Sequence, residues 1–365
     1  MGKEIVTARF MLLRLLAAVA VLLSLNAAGL AAPLLPVPVS TVPATTGDLN
    51  PYGVLFIPNS FGILRRGDIL VSNFNNNENT MFLGTTIVDI RNGAQTATPF
   101  YTSSAAGEGL SLALGQLQNF IIIGNVPTIT PDDTTTAGPG SLTVLDGSGA
   151  VVNTLSDPTA TFIDGPWGLA INQKPNNRAQ LFVSNVLNGT VWRLDVSFNG
   201  GGVTINDEVK VGSGYLFELT FPTVVNGPAG LVYNAKTDTL YVASELDNMI
   251  FAIAQASTIA FNQATPGTVV YNDPEHLHGP TGLLQLPNGD LLTANDDGVN
   301  VNAAEPSELV EFTPLAPSGI FVTQLSIDPA NGGAFGIALS KKDDQVQIAY
   351  VDNNTATLSV LSFFF

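Results

Sequence analysis

The segment Pro166-Trp167-Gly168-Leu169, followed by Val183-Ser184-Asn185, carries the pattern that decides the fold. The first part is typical of a turn that enters an apolar strand at a glycine, and the second of the end of a returning strand. Both phrases recur at intervals of roughly 50 to 60 residues, which is the spacing of a repeat architecture. The entry phrase recurs as Pro51-Tyr52-Gly53-Val54, Gly107-Glu108-Gly109-Leu110, Pro228-Ala229-Gly230-Leu231, Pro280-Thr281-Gly282-Leu283 and Ala334-Phe335-Gly336-Ile337. The strand ending recurs as Val71-Ser72-Asn73, Ile123-Gly124-Asn125, Ala243-Ser244-Glu245, Thr293-Ala294-Asn295 and Tyr350-Val351-Asp352.

Each repeat continues with two further β-rich runs, so it predicts four antiparallel strands. Six such units predict an all-β fold, a six-bladed β-propeller of four-stranded antiparallel blades, as one domain over residues 32–365. The sixth unit supplies three strands, and the segment from Leu35 to Val42 is spare. We therefore expect the mature N-terminal strand to pair with the C-terminal blade and close the ring.

The N-terminal region has the layout of a secretory signal peptide. Lys3, Arg9 and Arg14 precede an apolar stretch that ends in small residues at Ala31. Cleavage after Ala31 would place the mature protein outside the cytoplasm, secreted or periplasmic; retention of the stretch as an anchor is the alternative. The rest of the chain has no second apolar run long enough for a transmembrane helix.

Composition excludes several function classes. The chain has 13 Lys and Arg against 30 Asp and Glu, a formal net charge of −17, so binding to nucleic acid is not expected. Removing residues 1–31 discards Lys3, Arg9 and Arg14 together with Glu4, and the charge becomes −19. Because the chain has no cysteine, it can form neither disulfides nor thiolate metal sites.

The repeated phrases resemble those of NHL-repeat proteins and of gluconolactonase- and regucalcin-type six-bladed propellers, over residues 34 to 364. In gluconolactonase-type proteins, the residues just before the entry glycine include acidic and amide metal ligands. Among the residues at this position, only Glu108 has that chemistry. The resemblance therefore implies the architecture, whereas the three-ligand metal site on which lactonase activity of that kind depends is not reproduced.

The predicted strand order separates two faces. One face, here the entry face, carries the loops before each first strand and after each second strand; the other, the hairpin face, carries the remaining turns. Eight of the ten basic residues after position 31 fall on the hairpin face and two within strands, whereas many Asp and Glu fall on the entry face. Like charges on one concave surface add their potentials, so the entry face should attract cations.

The candidate site residues lie on this entry face. Oxygen ligands suit Ca²⁺ or Mg²⁺, and the side chains expected to hold such an ion are Glu108, Asp164, Glu245, Asn295 and Asp352. Hydrogen bonding of the Asn and Asp side chains to adjoining turns is the alternative. Asn295-Asp296-Asp297-Gly298 with Asn300, Asn302 and Glu305 also has calcium-loop chemistry, without the EF-hand spacing.

Two further groups complete the candidates. His276 and His278 face the same way on an extended segment, and His278 is the candidate general acid or base. Tyr52, Trp167 and Phe335, with His276, are candidates for a ligand-binding mouth, and the alternative for the three aromatic rings is packing between blades.

Two functions are compatible with these features. The first is an exported, monomeric binding or scaffold module whose acidic face takes a divalent cation, a small molecule or a protein partner. The second is a metal-dependent hydrolase or lyase of the lactonase kind, in which Glu108, Glu245 and Asp352 hold the ion and His278 transfers the proton.

Overall fold

The computed structural model describes residues 36–105, 107–130, 133–220, 224–342 and 345–364. These residues form strands, turns and bends, and none of them belongs to a helix that could span a membrane. The proposed signal peptide, residues 1–31, lies outside the described residues.

Six four-stranded antiparallel sheets form the blades of a β-propeller, which confirms the predicted fold class. After β1 (Val39–Ser40), blade one consists of β2 (Leu49–Phe56), β3 (Ile69–Asn75), β4 (Thr86–Ile90) and β5 (Thr98–Thr102). Blade two consists of β6 (Leu110–Leu117), β7 (Phe120–Asn125), β10 (Ser141–Leu145) and β11 (Val151–Leu155), with the hairpin of β8 (Thr128–Thr130) and β9 (Asp133–Ala137) between its second and third strands. Blade three consists of β12 (Pro166–Lys174), β13 (Arg178–Asn185), β14 (Thr190–Asn199) and β15 (Gly202–Ser213).

The hairpin of β16 (Glu218–Thr220) and β17 (Val224–Asn226) leads into the second half of the ring. Blade four consists of β18 (Pro228–Asn234), β19 (Thr239–Ser244), β20 (Met249–Ala254) and β21 (Thr268–Tyr271). Blade five consists of β22 (Pro280–Gln285), β23 (Leu291–Asn295), β24 (Glu308–Thr313) and β25 (Ile320–Ser326). Blade six consists of β26 (Ala334–Lys342), β27 (Gln345–Asp352) and β28 (Thr357–Phe364), with β1 as its outer strand.

The ring closes where the two ends of the chain meet, as predicted. Val39 pairs with Leu358 and Ser40 with Thr357. The buried Thr41 extends this seam, because its amide and its hydroxyl both donate to Ala356 O, at 2.9 and 3.0 Å. Asn73 of blade one donates from Nδ2 to Thr41 O at 3.1 Å, so the seam also holds the neighbouring blade.

The repeated entry glycine is explained by the close approach of neighbouring inner strands. A Cβ atom added at Gly168 would lie closer than 3.0 Å to the carbonyl oxygen of Ala229 in the next blade. The same conflict with the next blade's carbonyl arises at Gly230, Gly282 and Gly336. A side chain at this position would therefore push two blades apart.

The register of blade two corrects one sequence assignment. In blades one, three and five, the proline of the entry phrase pairs with the last residue of the strand ending. Pro51 pairs with Asn73, Pro166 with Asn185 and Pro280 with Asn295. In blade two, Leu110 pairs with Asn125. Ser111, and not Glu108, is thus equivalent to Tyr52 and Trp167, and the assignment made from Gly109 was wrong by three residues. Glu108 occupies the position of Asp164, Asn226 and His278, two residues before the paired residue.

Candidate functional site

Charge is distributed unequally between the two faces. The basic residues of the hairpin face lie between or at the ends of strands that meet there, namely Arg65, Arg66, Arg91, Lys174, Arg178, Lys236, Lys341 and Lys342. Arg193 and Lys210 lie within β14 and β15. Across the described ranges, therefore, no Lys or Arg lies in an entry-face loop, as the sequence sorting predicted.

The strand-end residues mostly bind their own blades. Asn125 donates from Nδ2 to Glu108 Oε2 at 2.6 Å and accepts from the Ser141 amide at 2.7 Å. Asn185 accepts at Oδ1 from the Asp164 amide at 3.1 Å. These bonds connect each second strand to the entry loop beside it, which is the structural use of Asn expected at turns.

Aromatic residues close the centre of the ring. The Tyr52 ring stacks between Phe74 and Phe335, with centroids 4.6 and 4.4 Å away, and meets the edge of Trp167 at 5.5 Å. Tyr52, Trp167 and Phe335 are all buried, so the rings face one another and do not line an open mouth.

The positions that the resemblance assigns to metal ligands are thus filled by residues unsuited to that task. They are Tyr52, Ser111, Trp167, Ala229, Thr281 and Phe335, and none carries a carboxylate or a carboxamide. Ser111 Oγ and Thr281 Oγ1 donate to backbone carbonyl groups instead. The metal site of the gluconolactonase kind does not fit this chain at those positions.

Two carboxyl groups from neighbouring blades meet beside this aromatic cluster. Glu245 follows β19 and Asp296 follows β23, both are buried, and their carboxyl groups share a hydrogen bond. A Cβ atom added at Gly298 would lie 3.1 Å from Glu245 Oε1 and 3.0 Å from Asp296 Oδ2, so both groups converge on that glycine. With its side-chain amide oriented so that Nδ2 faces the carboxyl group, Asn226 donates to Glu245 Oε1 at 2.8 Å. Burial raises the pKa of both carboxyl groups, and the charge of Asp296 raises that of Glu245 further. We call Glu245 and Asp296 the mouth pair, and Asn226 is the amide residue bonded to it.

A second acidic cluster surrounds the β23–β24 loop of blade five. One ligand atom from each of His278, Glu305 and Glu308 lies within 4.8 Å of the other two, so these side chains form a candidate metal centre. Asn295 donates from Nδ2 to Glu308 Oε2 at 3.4 Å. Asp297 accepts a hydrogen bond from the Ser307 amide at Oδ2. We call Asn295, Asp297, Glu305 and Glu308 the blade-five oxygen cluster.

Three oxygen atoms of this cluster are buried without a donor. They are Asn295 Oδ1, Asp297 Oδ1 and Glu308 Oε1. Leaving one buried acceptor unpaired costs about 1–3 kcal/mol, so three in one cluster indicate a missing partner. Burial, together with the nearby Asp297 charge, raises the pKa of Glu308 to about 8. Burial also raises the pKa of Asp297.

The two histidines have different surroundings. Both ring nitrogens of the buried His278 face backbone carbonyl groups, Nδ1 at 2.6 Å from Asn300 O and Nε2 at 3.1 Å from Glu275 O. His276 is partly exposed, stacks on Phe321 with centroids 3.6 Å apart, and bonds Asp273 Oδ2 through Nδ1 at 2.8 Å. Burial works to raise the pKa of Asp273, but hydrogen bonds from His276, the Glu275 amide and Tyr271 hold it below its usual range.

The remaining predicted ligands do not join either cluster. Glu108 accepts from Ser103 Oγ and from Asn125 in its own blade. The pKa of Asp164 is raised by burial, although Asn188 lowers it through a hydrogen bond. Asp352 accepts from Thr355 Oγ1 and from the Asn354 amide, and it contacts Asp328. The structure therefore brings together Asn295 and His278 from the predicted set, and it pairs Glu245 with Asp296.

Sequence reasoning missed Glu308 and the Asp273–His276 pair. Glu308 begins a strand that continues Leu309-Val310. An acidic residue at the start of a buried strand was the available signal, because such a position must be paired or neutral. Asp273 precedes His276 by three residues, and the turn that brings them together is set by the His276 amide donating to Asp273 O at 3.2 Å.

Among the solved structures that are similar to this fold, two illustrate the likeness. A putative gluconolactonase is 11% identical, with 89% of this chain and 95% of that chain covered and a TM-score of 0.53. A luciferin-regenerating enzyme is 10% identical, with 90% of this chain and 94% of that chain covered and a TM-score of 0.51. No protein-family model and no curated protein sequence matches the chain. At these identities the similarity shows the propeller fold alone, and NHL-repeat membership stays a prediction.

Proposed function

We propose that this protein is an exported propeller that acts as a binding module, and that its acidic entry face binds a divalent cation such as Ca²⁺ or Mg²⁺. The mouth pair carries this proposal. Two buried carboxyl groups in contact cannot both ionise unless a positive charge joins them. The entry-face loops described above supply no Lys or Arg, so a cation from solution fits this position.

A titration with Ca²⁺ and Mg²⁺, followed by thermal unfolding, tests the proposal. An ion that binds only the folded chain raises the unfolding temperature as its concentration rises. We expect Glu245→Gln to reduce this rise. Glu108→Gln is the matched control, because Glu108 is an entry-face carboxylate that bonds its own blade. The absence of any rise for the wild-type protein at millimolar ion would contradict the proposal.

The Asp273–His276 pair favours a second candidate function, a metal-assisted hydrolase. A carboxylate that holds one imidazole nitrogen leaves the other to take a proton from water, as in hydrolytic triads. His276 has this arrangement, whereas both nitrogens of His278 already face carbonyl groups. The structurally similar protein described as a putative gluconolactonase is consistent with a lactone substrate.

Rates of lactone and ester hydrolysis with Ca²⁺, Mg²⁺ or Zn²⁺ present separate the two functions. Under the hydrolase hypothesis, His276→Gln should lower the rate about 100-fold or more, since general base catalysis contributes about that much. His278→Gln should retain most of the rate. A wild-type rate equal to the uncatalysed rate would leave the binding function alone.

A further inference from the structure

We propose that the blade-five oxygen cluster is a calcium site separate from the mouth pair. Its ligands are Asn295 Oδ1, Asp297 Oδ1, Glu308 Oε1 and a carboxylate oxygen of Glu305, and His278 holds the surrounding loops without binding the ion. The site deepens the proposed cation-binding function and rests on it, but it lies within blade five and does not use the mouth pair.

The unpaired oxygen atoms are the first step of the argument. Asn295, Asp297 and Glu308 are 0%, 3% and 0% exposed, so water from bulk solvent does not reach their unpaired atoms. Each of these side chains already uses its other polar atom within the protein, Asn295 Nδ2 on His276 O and Asp297 Oδ2 on the Ser307 amide. The unpaired oxygens are thereby held in fixed positions. Fixed, buried, donor-free oxygens are what a dehydrated cation requires.

The type of ion follows from the ligand atoms. Carboxylate and carboxamide oxygens suit hard cations, whereas Zn²⁺ favours imidazole and thiolate ligands. The one imidazole nearby already has a protein partner at each nitrogen, Asn300 O at 2.6 Å from Nδ1 and Glu275 O at 3.1 Å from Nε2. Ca²⁺ accepts irregular sets of six to eight oxygens, and Mg²⁺ demands a near-ideal octahedron. A set drawn from a strand end, a loop and a following strand fits Ca²⁺ better.

The backbone separates the two acidic sites. Asp296 and Asp297 are consecutive, but Asp297 lies in a bend with a positive φ of 60°, and the two carboxyl groups have different partners. Asp296 contacts Glu245 and accepts the Gly298 amide at 2.7 Å. Asp297 bonds the Ser307 amide on its other side, and its own amide donates to His278 O at 2.7 Å. One ion therefore does not serve both groups.

Isothermal titration of the full chain with Ca²⁺, and separately with Zn²⁺, tests this site by its stoichiometry. We expect Glu308→Gln and Asp297→Asn each to remove one Ca²⁺ per chain, and His278→Gln to retain it. The matched control is Glu311→Gln, which makes the same substitution at a fully buried glutamate of β24 outside the cluster. Each variant is first checked for a native circular dichroism spectrum.

The outcomes distinguish this site from the mouth pair. If the mouth pair binds no ion, wild type takes one Ca²⁺, Glu245→Gln changes nothing and Glu308→Gln takes none. If both sites bind, Glu245→Gln and Glu308→Gln each take one Ca²⁺ per chain, and the variant with both substitutions takes none. Calcium stoichiometry of Glu308→Gln and Asp297→Asn equal to that of wild type would overturn the site. Tighter binding of Zn²⁺, lost in His278→Gln, would overturn the assignment to calcium.

Discussion

Glu311 of β24 is a buried carboxyl group that lies outside both acidic clusters. The side chain is fully buried, Oε2 has no hydrogen-bond partner, and the Asn288 amide lies 3.4 Å from Oε1. Burial, together with the nearby Asp290 charge, raises the pKa of Glu311 to about 8. The folded chain therefore holds a proton at Glu311 at a pH where the unfolded chain has released it.

This proton makes stability dependent on pH. Because the folded state binds more protons than the unfolded state between about pH 4.5 and 8, the free energy of unfolding falls as pH rises through that window. The slope from this group is at most about 1.4 kcal/mol per pH unit. We expect metal-free Glu311→Gln to lose less stability than wild type between pH 5 and 8, as measured by urea unfolding. Parallel pH profiles for the two proteins would show that Glu311 is ionised in the fold.

The same scale explains how much of the site was predictable. His278 and Asn295 were identified because they stand at fixed places in the repeat. Glu308 was not identified, because in the sequence it is an acidic residue in front of an ordinary apolar run. Which oxygen atoms lack donors depends on where neighbouring amides point, and residue order does not encode that directly. The stacking of Tyr52 between Phe74 and Phe335 likewise depends on three different strands.

At the level of strands, the close contact between the inner strands of neighbouring blades limits which side chains the entry position can hold. Gly168 on β12 faces the Ala229 carbonyl oxygen of β18, with no room for a methyl group. We expect Gly168→Ala to destabilise the protein by about 3 kcal/mol, the upper part of the range for overpacking. Gly200 is the control, because a Cβ atom there meets nothing within 4 Å. Equal urea midpoints for Gly168→Ala and Gly200→Ala would contradict the close-approach explanation.

The strand pattern made most of the architecture predictable. Six entry phrases and six strand endings fixed the number of blades, and the spare N-terminal segment indicated the ring closure. The register of blade two was not recovered. Gly107 and Gly109 there have positive φ angles of 76° and 55° and belong to the loop before β6. Glycines required by a turn cannot be told from a glycine required by packing when only their spacing is known.

For the whole molecule, the separation of charge should affect cation binding at long range. Glu275 is an exposed entry-face residue, and Glu208 is exposed on β15, the outer strand of blade three. Each change to Lys alters the net charge equally. We expect Glu275→Lys to weaken Ca²⁺ binding several-fold in low salt and Glu208→Lys to have a smaller effect. The reason is that salt screens Coulomb interactions between exposed charges beyond a Debye length, which is about 10 Å at 0.1 M salt.

Titrations at low and high salt measure this difference. The effect of Glu275→Lys should shrink as added salt screens the field. Equal weakening by both substitutions would mean that total charge, and not its placement on the entry face, controls the affinity.

The seam between β1 and β28 also determines when the protein can finish folding. Thr41 bonds Ala356, a partner 315 positions away in sequence, so blade six cannot be completed until nearly the whole chain is present. Contacts of such long range slow folding, because the entropy of closing the loop is lost before the contact forms. Until then β28 presents an open edge that can pair with another chain. The closing step is therefore the stage at which a nascent or refolding molecule is most exposed to misassembly, and a chaperone that shields one strand edge would act there.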